Sequence, residues 1–300
     1  MGSMSMQSAD LSRQKSAPAR LSDCLIFTPT YNERHNIGPL LDALLAIEPR
    51  CDVLIVDDSS TDGTTALLLE RAAVEPRLNV VVRPGKLGIG SAHKLAWLYA
   101  RRNHYARIVT LDADFSHNPA DIPRLLATLD GGAEVAFGSR YMPGGGLDYR
   151  GWRLFLSRNA NLLARRLLRL SITEYTTSLR AARLDRVPEG LVETIDNDGY
   201  GFFLSCAVGF VRTGLKIVEI PIHFRDRDHG VSKIPRLEIF RGAANLMRLV
   251  LQFRRPFPGL KLQSADDTCA GCGQPYRAAL ATGGVRCLAC LDKGGAVRPS

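Results

Sequence analysis

The chain has 300 residues, of which 45% are hydrophobic, so it is long enough for one large domain and a small appendage. Its net charge of +9 favours anionic partners such as phosphorylated substrates or an anionic membrane surface. No basic stripe interleaved with aromatic residues indicates nucleic acid, and the longest apolar stretches fall well short of the roughly 20 residues that a transmembrane helix needs.

Residues 1–21 are polar and rich in Ser and Ala, which predicts a disordered leader without the apolar core of a signal peptide. From residue 22 onward, strands and helices alternate four times. The predicted strands are CLIFTPTY, DVLIVDDSS, NVVVRP and RIVTLDAD, and the predicted helices are NIGPLLDALLAI, TDGTTALLLERAAV, GKLGIGSAHKLAWLYARR and NPADIPRLLATL. This alternation predicts an α/β fold with a doubly wound, mostly parallel sheet.

The second half continues the domain to residue 255. AEVAFGSRYMPGGG predicts a strand and a glycine-rich loop, WRLFLSRNANLLARRLLRL a basic helix, YGFFLSCAVGFVRTG another helix, and KIVEIPIHF a strand whose proline suits a sheet edge. The arginines of the basic helix are expected to form mainly a solvated face: Arg158, Arg165, Arg166 and Arg169. A charged loop, RDRDHGVSK, and a last amphipathic helix over 237–253 follow.

Polar motifs follow each strand of the first half, at the edge where ligands bind in doubly wound sheets. Asp112 and Asp114 stand at alternate positions after RIVTL, so an extended segment would point both carboxylates to one face, with Ser116 on the same side. Two carboxylates together with the oxygens of a nucleotide diphosphate are the ligands that Mg²⁺ or Mn²⁺ prefers. The pair therefore predicts a divalent metal site.

The ordered motifs TPTYNERHNI, VDDSSTDGT, GKLGIGSA, LDADFSHNP, GSRYMPGG, LSRNANLLAR and DRDHGVSK resemble the family-2 glycosyltransferases of GT-A fold. Within that family, the set is most similar to dolichol-phosphate mannosyltransferases and related polyprenyl-phosphate sugar transferases. The resemblance covers residues 24 to 250 and implies a Rossmann-like nucleotide-sugar fold.

The resemblance implies a role for each matching residue on the donor side. The nucleoside would be held by Pro29, Tyr31, Glu33, Val56 and Asp58. The metal and diphosphate would be held by Asp112, Ala113, Asp114 and Ser116, and a loop carrying Arg227 and Lys233 would close its cations over the diphosphate.

On the acceptor side, the resemblance implies a lipid phosphate that meets Arg140, Arg153, Ser157 and, as a weaker candidate, Arg180. A phosphate monoester is largely ionised near neutral pH, so no dedicated general base is expected. Catalysis is expected from positioning and electrostatics by Asp114, Arg140, Arg227 and Lys233, in an inverting displacement.

Two segments depart from the family pattern and leave the sugar open. Phe203 and Ser205 in GYGFFLSC replace the Gln and Glu often found there, and EYTTSLR differs from the usual Asp-led, Gly-containing version. Mannose from GDP-mannose is the first expectation, and glucose or an N-acetylhexosamine from UDP is the second. Other readings are a sugar-nucleotide pyrophosphorylase, a transferase acting on a soluble or polysaccharide hydroxyl, and a non-catalytic partner protein.

The C-terminal region predicts a separate unit after a linker over 256–268. Cys269, Cys272, Cys287 and Cys290 form two Cys-x2-Cys pairs within residues 269–290, with a tail over 291–300. Four thiolates at this near zinc-ribbon spacing predict a structural Zn²⁺. The odd cysteine count is atypical of a secreted disulfide framework, so we expect a cytoplasmic enzyme, peripheral at a membrane face or assisted by a membrane partner protein.

Overall fold

A computed structural model describes residues 20–148, 152–168, 170–225 and 244–251, with the side chains of 159 and 161–168 in the helix over 152–168. The predicted zinc unit and the loop with Arg227 and Lys233 lie outside these residues. So do residues 1–19, which make up most of the predicted leader.

The first half follows the predicted alternation. The strands are β1 (Cys24–Thr30), β2 (Asp52–Asp57), β3 (Leu78–Val82) and β4 (Arg107–Thr110). The helices are α1 (Arg34–Leu45), α2 (Thr64–Ala72), α3 (Ile89–Arg102) and α4 (Ile122–Asp130), the last preceded by a short 3₁₀ helix, Pro119–Asp121. Strands β1 and β2 are almost wholly buried, which explains their continuous apolar sequence.

The second half supplies the remaining elements. They are β5 (Val135–Ser139), β6 (Gly146–Leu147), α5 (Trp152–Leu168), β7 (Arg180–Arg183), α6 (Gly201–Arg212), β8 (Ile217–Pro221) and β9 (His223–Phe224), and residues 244–251 are helical. Strand β8 ends at the predicted proline and forms one edge of the sheet. No helix among the described residues is long and apolar enough to cross a membrane.

Seven strands form the central sheet in the order β3-β2-β1-β4-β7-β5-β8. Strand β7 pairs antiparallel with both β4 and β5, and the other pairs are parallel, so the prediction of a mostly parallel α/β sheet is confirmed. Strand β7 was not predicted, because its four residues, RAAR, carry no strand pattern.

Two apolar layers cover the sheet. Phe27, Leu54 and Phe137 pack with residues of α3, α5 and α6 on one face. Ile26, Ile55 and Val109 pack with residues of α1, α2 and α4 on the other. The alternation of side chains along each strand therefore fills two cores and leaves the carboxyl ends of the strands free for polar motifs.

Candidate functional site

An open cleft of about 120 Å³ lies at the carboxyl ends of β1, β2 and β4. The strand order changes direction between β1 and β4, which is the position where doubly wound sheets bind ligands. Seven of the residues predicted for the donor line this cleft: Pro29, Tyr31, Glu33, Asp58, Asp112, Ala113 and Asp114.

At one side of the cleft, Asp58 pairs with Arg83. The Nε of Arg83 lies 2.5 Å from Oδ1 of Asp58, and both side chains are largely buried. Burial raises the pKa of the Asp58 carboxyl, and the hydrogen bond and charge of Arg83 oppose that rise. Arg83 also donates to Ser91 Oγ and to the carbonyl of Gly88, which ties the carboxylate to the start of α3.

Seven further lining residues were not predicted as site residues, and three of these have charged or aromatic side chains. Arg83 and Lys86 come from the RPGKLGIG motif, which the sequence places at a strand end, and Tyr200 precedes α6. The ammonium of Lys86 lies 4.9 Å from the ring centroid of Tyr31. The basic residues of that motif were the available signal, because a glycine loop with cations at the mouth of a cleft suits an anionic ligand.

The aspartate segment is bent, so the prediction that it is extended was wrong. Strand β4 ends at Thr110, and Phe115 takes a left-handed conformation with φ 57°. Asp112 and Asp114 nevertheless both reach the cleft. Ser116 is fully buried and lies outside the lining, because the turn at Phe115 carries it beneath the segment, where its N–H donates to Asp114 Oδ1.

The carboxylates of Asp112 and Asp114 are oxygen ligands of the kind that a hard divalent cation prefers. The Asp112 side chain is 31% exposed, and that of Asp114 is largely buried. No cluster of three or more His, Cys, Asp or Glu residues able to hold a metal occurs within the described residues. A cation here would therefore take one or two carboxylates from the protein and its other oxygens from water or phosphate, as Mg²⁺ commonly does.

A second group of residues is organised around Arg140 in the loop after β5. Its Nε donates to Glu174 Oε2 at 2.7 Å, and its Nη2 donates to Thr176 Oγ1 at 2.7 Å. Glu174 is fully buried and also accepts from the N–H groups of Thr176 and Thr177. Burial tends to raise the pKa of this carboxyl, but Arg140 and these hydrogen bonds hold it below its ordinary value.

Aromatic and backbone contacts connect Arg140 with the aspartate segment. The ring of Phe224 lies 4.8 Å from the Arg140 guanidinium and 5.1 Å from the ring of His117. His117 Nε2 lies 3.7 Å from Asp112 Oδ2, and burial, assisted by the charge of Arg140, lowers the pKa of His117 to about 3. The imidazole is therefore neutral near pH 7.

Arg225, the last described residue before Arg227, also contacts the aspartate segment. The N–H of Arg225 donates to the carbonyl of Ser116 at 3.0 Å, and β9 pairs with β6 just before it. The predicted loop RDRDHGVSK begins at Arg225, so its first residue lies beside the aspartate segment. Arg227 and Lys233 themselves lie outside the described residues, as do the side chains of Arg153 and Ser157.

The side chains of Arg180 and Val56 are buried and do not line the donor cleft. Arg180 is buried between β7 and α6, where its guanidinium donates to the carbonyls of Tyr175 and Phe203 and lies 4.4 Å from the ring of Phe137. This burial contradicts the prediction that Arg180 contacts the acceptor phosphate. The Val56 side chain belongs to the apolar core.

Comparison with known proteins places this geometry in a family. The family model described as "Glycosyl transferase family 2" matches residues 25–187. The chain therefore belongs to glycosyl transferase family 2, and the resemblance found in the sequence is confirmed.

The chain is also similar to two curated proteins. The polyprenol monophosphomannose synthase of Mycolicibacterium smegmatis is 39% identical over 212 residues, which are 70% of this chain and 80% of the relative. The undecaprenyl-phosphate mannosyltransferase of Micrococcus luteus is 35% identical over 231 residues, which are 77% of this chain and 95% of the relative.

Among solved structures, the fold is similar to that of glucosyl-3-phosphoglycerate synthase from Mycobacterium tuberculosis in complex with Mn²⁺, UDP and glucosyl-3-phosphoglycerate. The TM-score is 0.53 at 22% identity, covering 79% of this chain and 81% of that one. This likeness supports the GT-A-like fold and nothing finer.

Proposed function

We propose that this protein transfers a sugar, with mannose from GDP-mannose as the first choice, onto the phosphate of a polyprenyl lipid. The observation that carries the proposal is the meeting of seven predicted donor residues in one cleft at the switch point of the sheet. Both curated relatives described above are named for mannosyl transfer involving polyprenyl lipids.

Different residues of the cleft would bind different parts of the nucleotide-sugar donor. The face of Tyr31 offers a stacking surface for the base. The carboxylate of Asp58, held by Arg83, accepts from N–H groups of the base or from ribose hydroxyls. Asp112 and Asp114 would hold Mg²⁺ or Mn²⁺, and that cation would offset the charge of the diphosphate. Arg227 and Lys233, which lie outside the described residues, would add their charges at the diphosphate.

The reaction is a single displacement at the anomeric carbon. An oxygen of the lipid phosphate forms the new bond to that carbon, while the bond from the carbon to the donor diphosphate breaks and the nucleoside diphosphate leaves with the electron pair. The ionised phosphate carries no proton that must be removed, so the enzyme needs no general base. His117 is enclosed and its lowered pKa makes it a poor proton acceptor, so it is not assigned this role.

Arg140 is the described residue best placed to align the attacking phosphate. Its side chain is only 9% exposed and is fixed from three sides by Glu174, Thr176 and Phe224. A guanidinium held in this way keeps its orientation without the entropy cost of ordering a free side chain. Arg153 and Ser157 on α5 would join it at the phosphate.

The enzyme would work at the surface of a membrane, since its acceptor is a lipid. Helix α5 presents Leu162, Leu163 and Leu167 with 41%, 53% and 44% of their surfaces exposed. The helix contains no acidic residue. Exposed leucines on a basic helix suit the headgroup region of an anionic bilayer. The cytoplasmic location, a membrane partner protein and the Cys₄ zinc unit remain proposals from the sequence.

A donor panel tests the proposed function. Purified full-length protein is incubated with Mg²⁺ or Mn²⁺, a short-chain polyprenyl phosphate, and GDP-mannose, UDP-glucose or UDP-N-acetylglucosamine in parallel, and products are identified by mass. We expect the polyprenyl-phosphate-mannose product. A product from a UDP-sugar alone would retain the lipid acceptor and replace the donor. Transfer to a soluble hydroxyl but never to the lipid would overturn the proposal.

A further inference from the structure

A second cleft, of about 270 Å³, lies between the loop after β5 and helix α5. The loop contributes four residues to its lining and the helix three: Arg140, Tyr141, Met142, Gly145, Asn161, Leu162 and Arg165. The two arginines therefore approach one cavity from opposite walls, and the cavity is distinct from the donor cleft between β1 and β4.

The lining of this cleft carries two guanidinium groups, those of Arg140 and Arg165, and none of the seven lining residues named above is acidic. The buried Glu174 accepts from Arg140, Thr176 and Thr177 and is not among the lining residues. A lining with two arginines and no carboxylate favours an anionic occupant.

Two enclosed polar atoms on the helix wall also lack partners. The Nε of Arg165 and the Oδ1 of Asn161 have no hydrogen-bond partner within the described part of the chain. Asn161 is 7% exposed, and its amide nitrogen donates to the carbonyl of Thr173 at 2.7 Å, which fixes the direction of its oxygen. Buried polar groups are normally paired, so an unpaired donor and an unpaired acceptor on adjacent helical turns indicate a ligand with both capacities.

A phosphate monoester has both capacities. Its ionised oxygens accept from a guanidinium, and its monoanionic form keeps one P–OH that can donate to Asn161 Oδ1 while an anionic oxygen remains for the displacement. The spacing of residues along α5 also supports a phosphate ligand. The predicted acceptor residues Arg153 and Ser157 are followed at four-residue intervals by Asn161 and Arg165, which places the four positions on one face of the helix.

We propose that Arg165, with Asn161 beside it, forms a further acceptor subsite that binds the lipid phosphate opposite Arg140. The inference rests on the proposed function and adds residues that the sequence assigned to a solvated face. Arg165 is half-buried, whereas its neighbour Arg166 is exposed and fits that solvated face. The two adjacent arginines thus have different roles on one helix.

This difference provides a matched control. Arg165→Gln and Arg166→Gln each remove one positive charge from neighbouring positions of α5. We expect Arg165→Gln to raise the KM for a short-chain polyprenyl phosphate about 10–100-fold, the loss typical of a charge-assisted hydrogen bond. The KM for the donor should stay unchanged. Arg166→Gln should change the acceptor KM less than about threefold, as expected for a solvated charge.

Measuring lipid binding separately from sugar transfer distinguishes a failure of the proposed subsite from a failure of the proposed function. Calorimetry follows binding of the short-chain polyprenyl phosphate and of the matching polyprenol, which lacks the phosphate. Loss of phosphate binding in Arg165→Gln, with partial recovery in Arg165→Lys, supports the subsite even if the wild type transfers no sugar. Equal KM and binding changes in the two Gln variants would overturn it, even if the wild type is a fully active transferase.

Discussion

The ion pair between Arg140 and Glu174 gives the sharpest prediction. Replacing Glu174 with Gln preserves the shape of the side chain and its ability to accept from Thr176 and Thr177, but it removes the charge that faces Arg140. That arginine is left as a cation with 9% of its side chain exposed. Removing one partner of a buried pair typically costs about 3–5 kcal/mol, so we expect the free energy of unfolding to fall by about that amount.

Urea unfolding at pH 7 measures this loss, with Glu189→Gln as the control. Glu189 is exposed, so its replacement should change the free energy of unfolding by less than about 0.5 kcal/mol. The double variant Arg140→Met, Glu174→Gln should be more stable than the sum of the two single effects predicts, because it leaves no unpaired charge. A loss below about 1 kcal/mol for Glu174→Gln would refute the reasoning that the pair is buried and tightly coupled.

The pH dependence provides an independent check on the same pair. The pKa of Glu174 is lowered in the fold, so its ionised form stabilises the protein above the ordinary glutamate pKa of about 4.3. That contribution is lost as pH falls through the lowered pKa of the folded state. The stability difference between wild type and Glu174→Gln should therefore stay constant from pH 8 to about pH 5 and shrink only at more acidic pH.

Three further predictions concern the donor side of the molecule. Arg83→Met should raise the pKa of Asp58 further, because burial already raises it, so the donor KM of this variant should increase from pH 8 to pH 5 more steeply than that of wild type. His93 is buried with its pKa lowered to about 3, so wild type should lose about 2 kcal/mol of stability between pH 7 and pH 5 that His93→Phe retains, measured by urea unfolding. Gly90→Ala would place a Cβ 2.6 Å from the carbonyl oxygen of Asn197 and should cost about 1–3 kcal/mol, whereas Gly38→Ala in α1 meets nothing within 4 Å and should be neutral or stabilising in thermal unfolding.

Much of the fold was predictable because its signals are local. The apolar runs of β1 and β2 and the helical spacing of α3 and α6 each identify an element without knowledge of its neighbours. Strand β7 was not predictable in this way. Its RAAR sequence is a strand because it fits between β4 and β5, and Arg180 can be buried there because two carbonyls and two aromatic rings receive it. Most of those partners, such as Phe203 and the strands β4 and β5, are distant in sequence.

The site was predictable where residue type alone determines the chemistry. Carboxylates and an aromatic ring at adjacent strand ends had to meet, since parallel strands end at one edge. The bend at Phe115, which removes Ser116 from the cleft, depends on tertiary packing that a pattern of alternate residues does not contain. The same is true of the Arg83–Asp58 pair and of the different environments of Arg165 and Arg166, which the sequence presents as equivalent.

The central claim is sugar transfer to a lipid phosphate at a cleft that uses Asp114. The most direct test incubates GDP-mannose, Mg²⁺ or Mn²⁺ and a short-chain polyprenyl phosphate with wild type, with Asp114→Asn and with Asp185→Asn, whose aspartate is exposed on the surface. We predict a polyprenyl-phosphate-mannose product from wild type and Asp185→Asn, and a rate at least about 100-fold lower from Asp114→Asn. Equal product from all three proteins, or none from wild type while it binds both metal and lipid, would contradict the account.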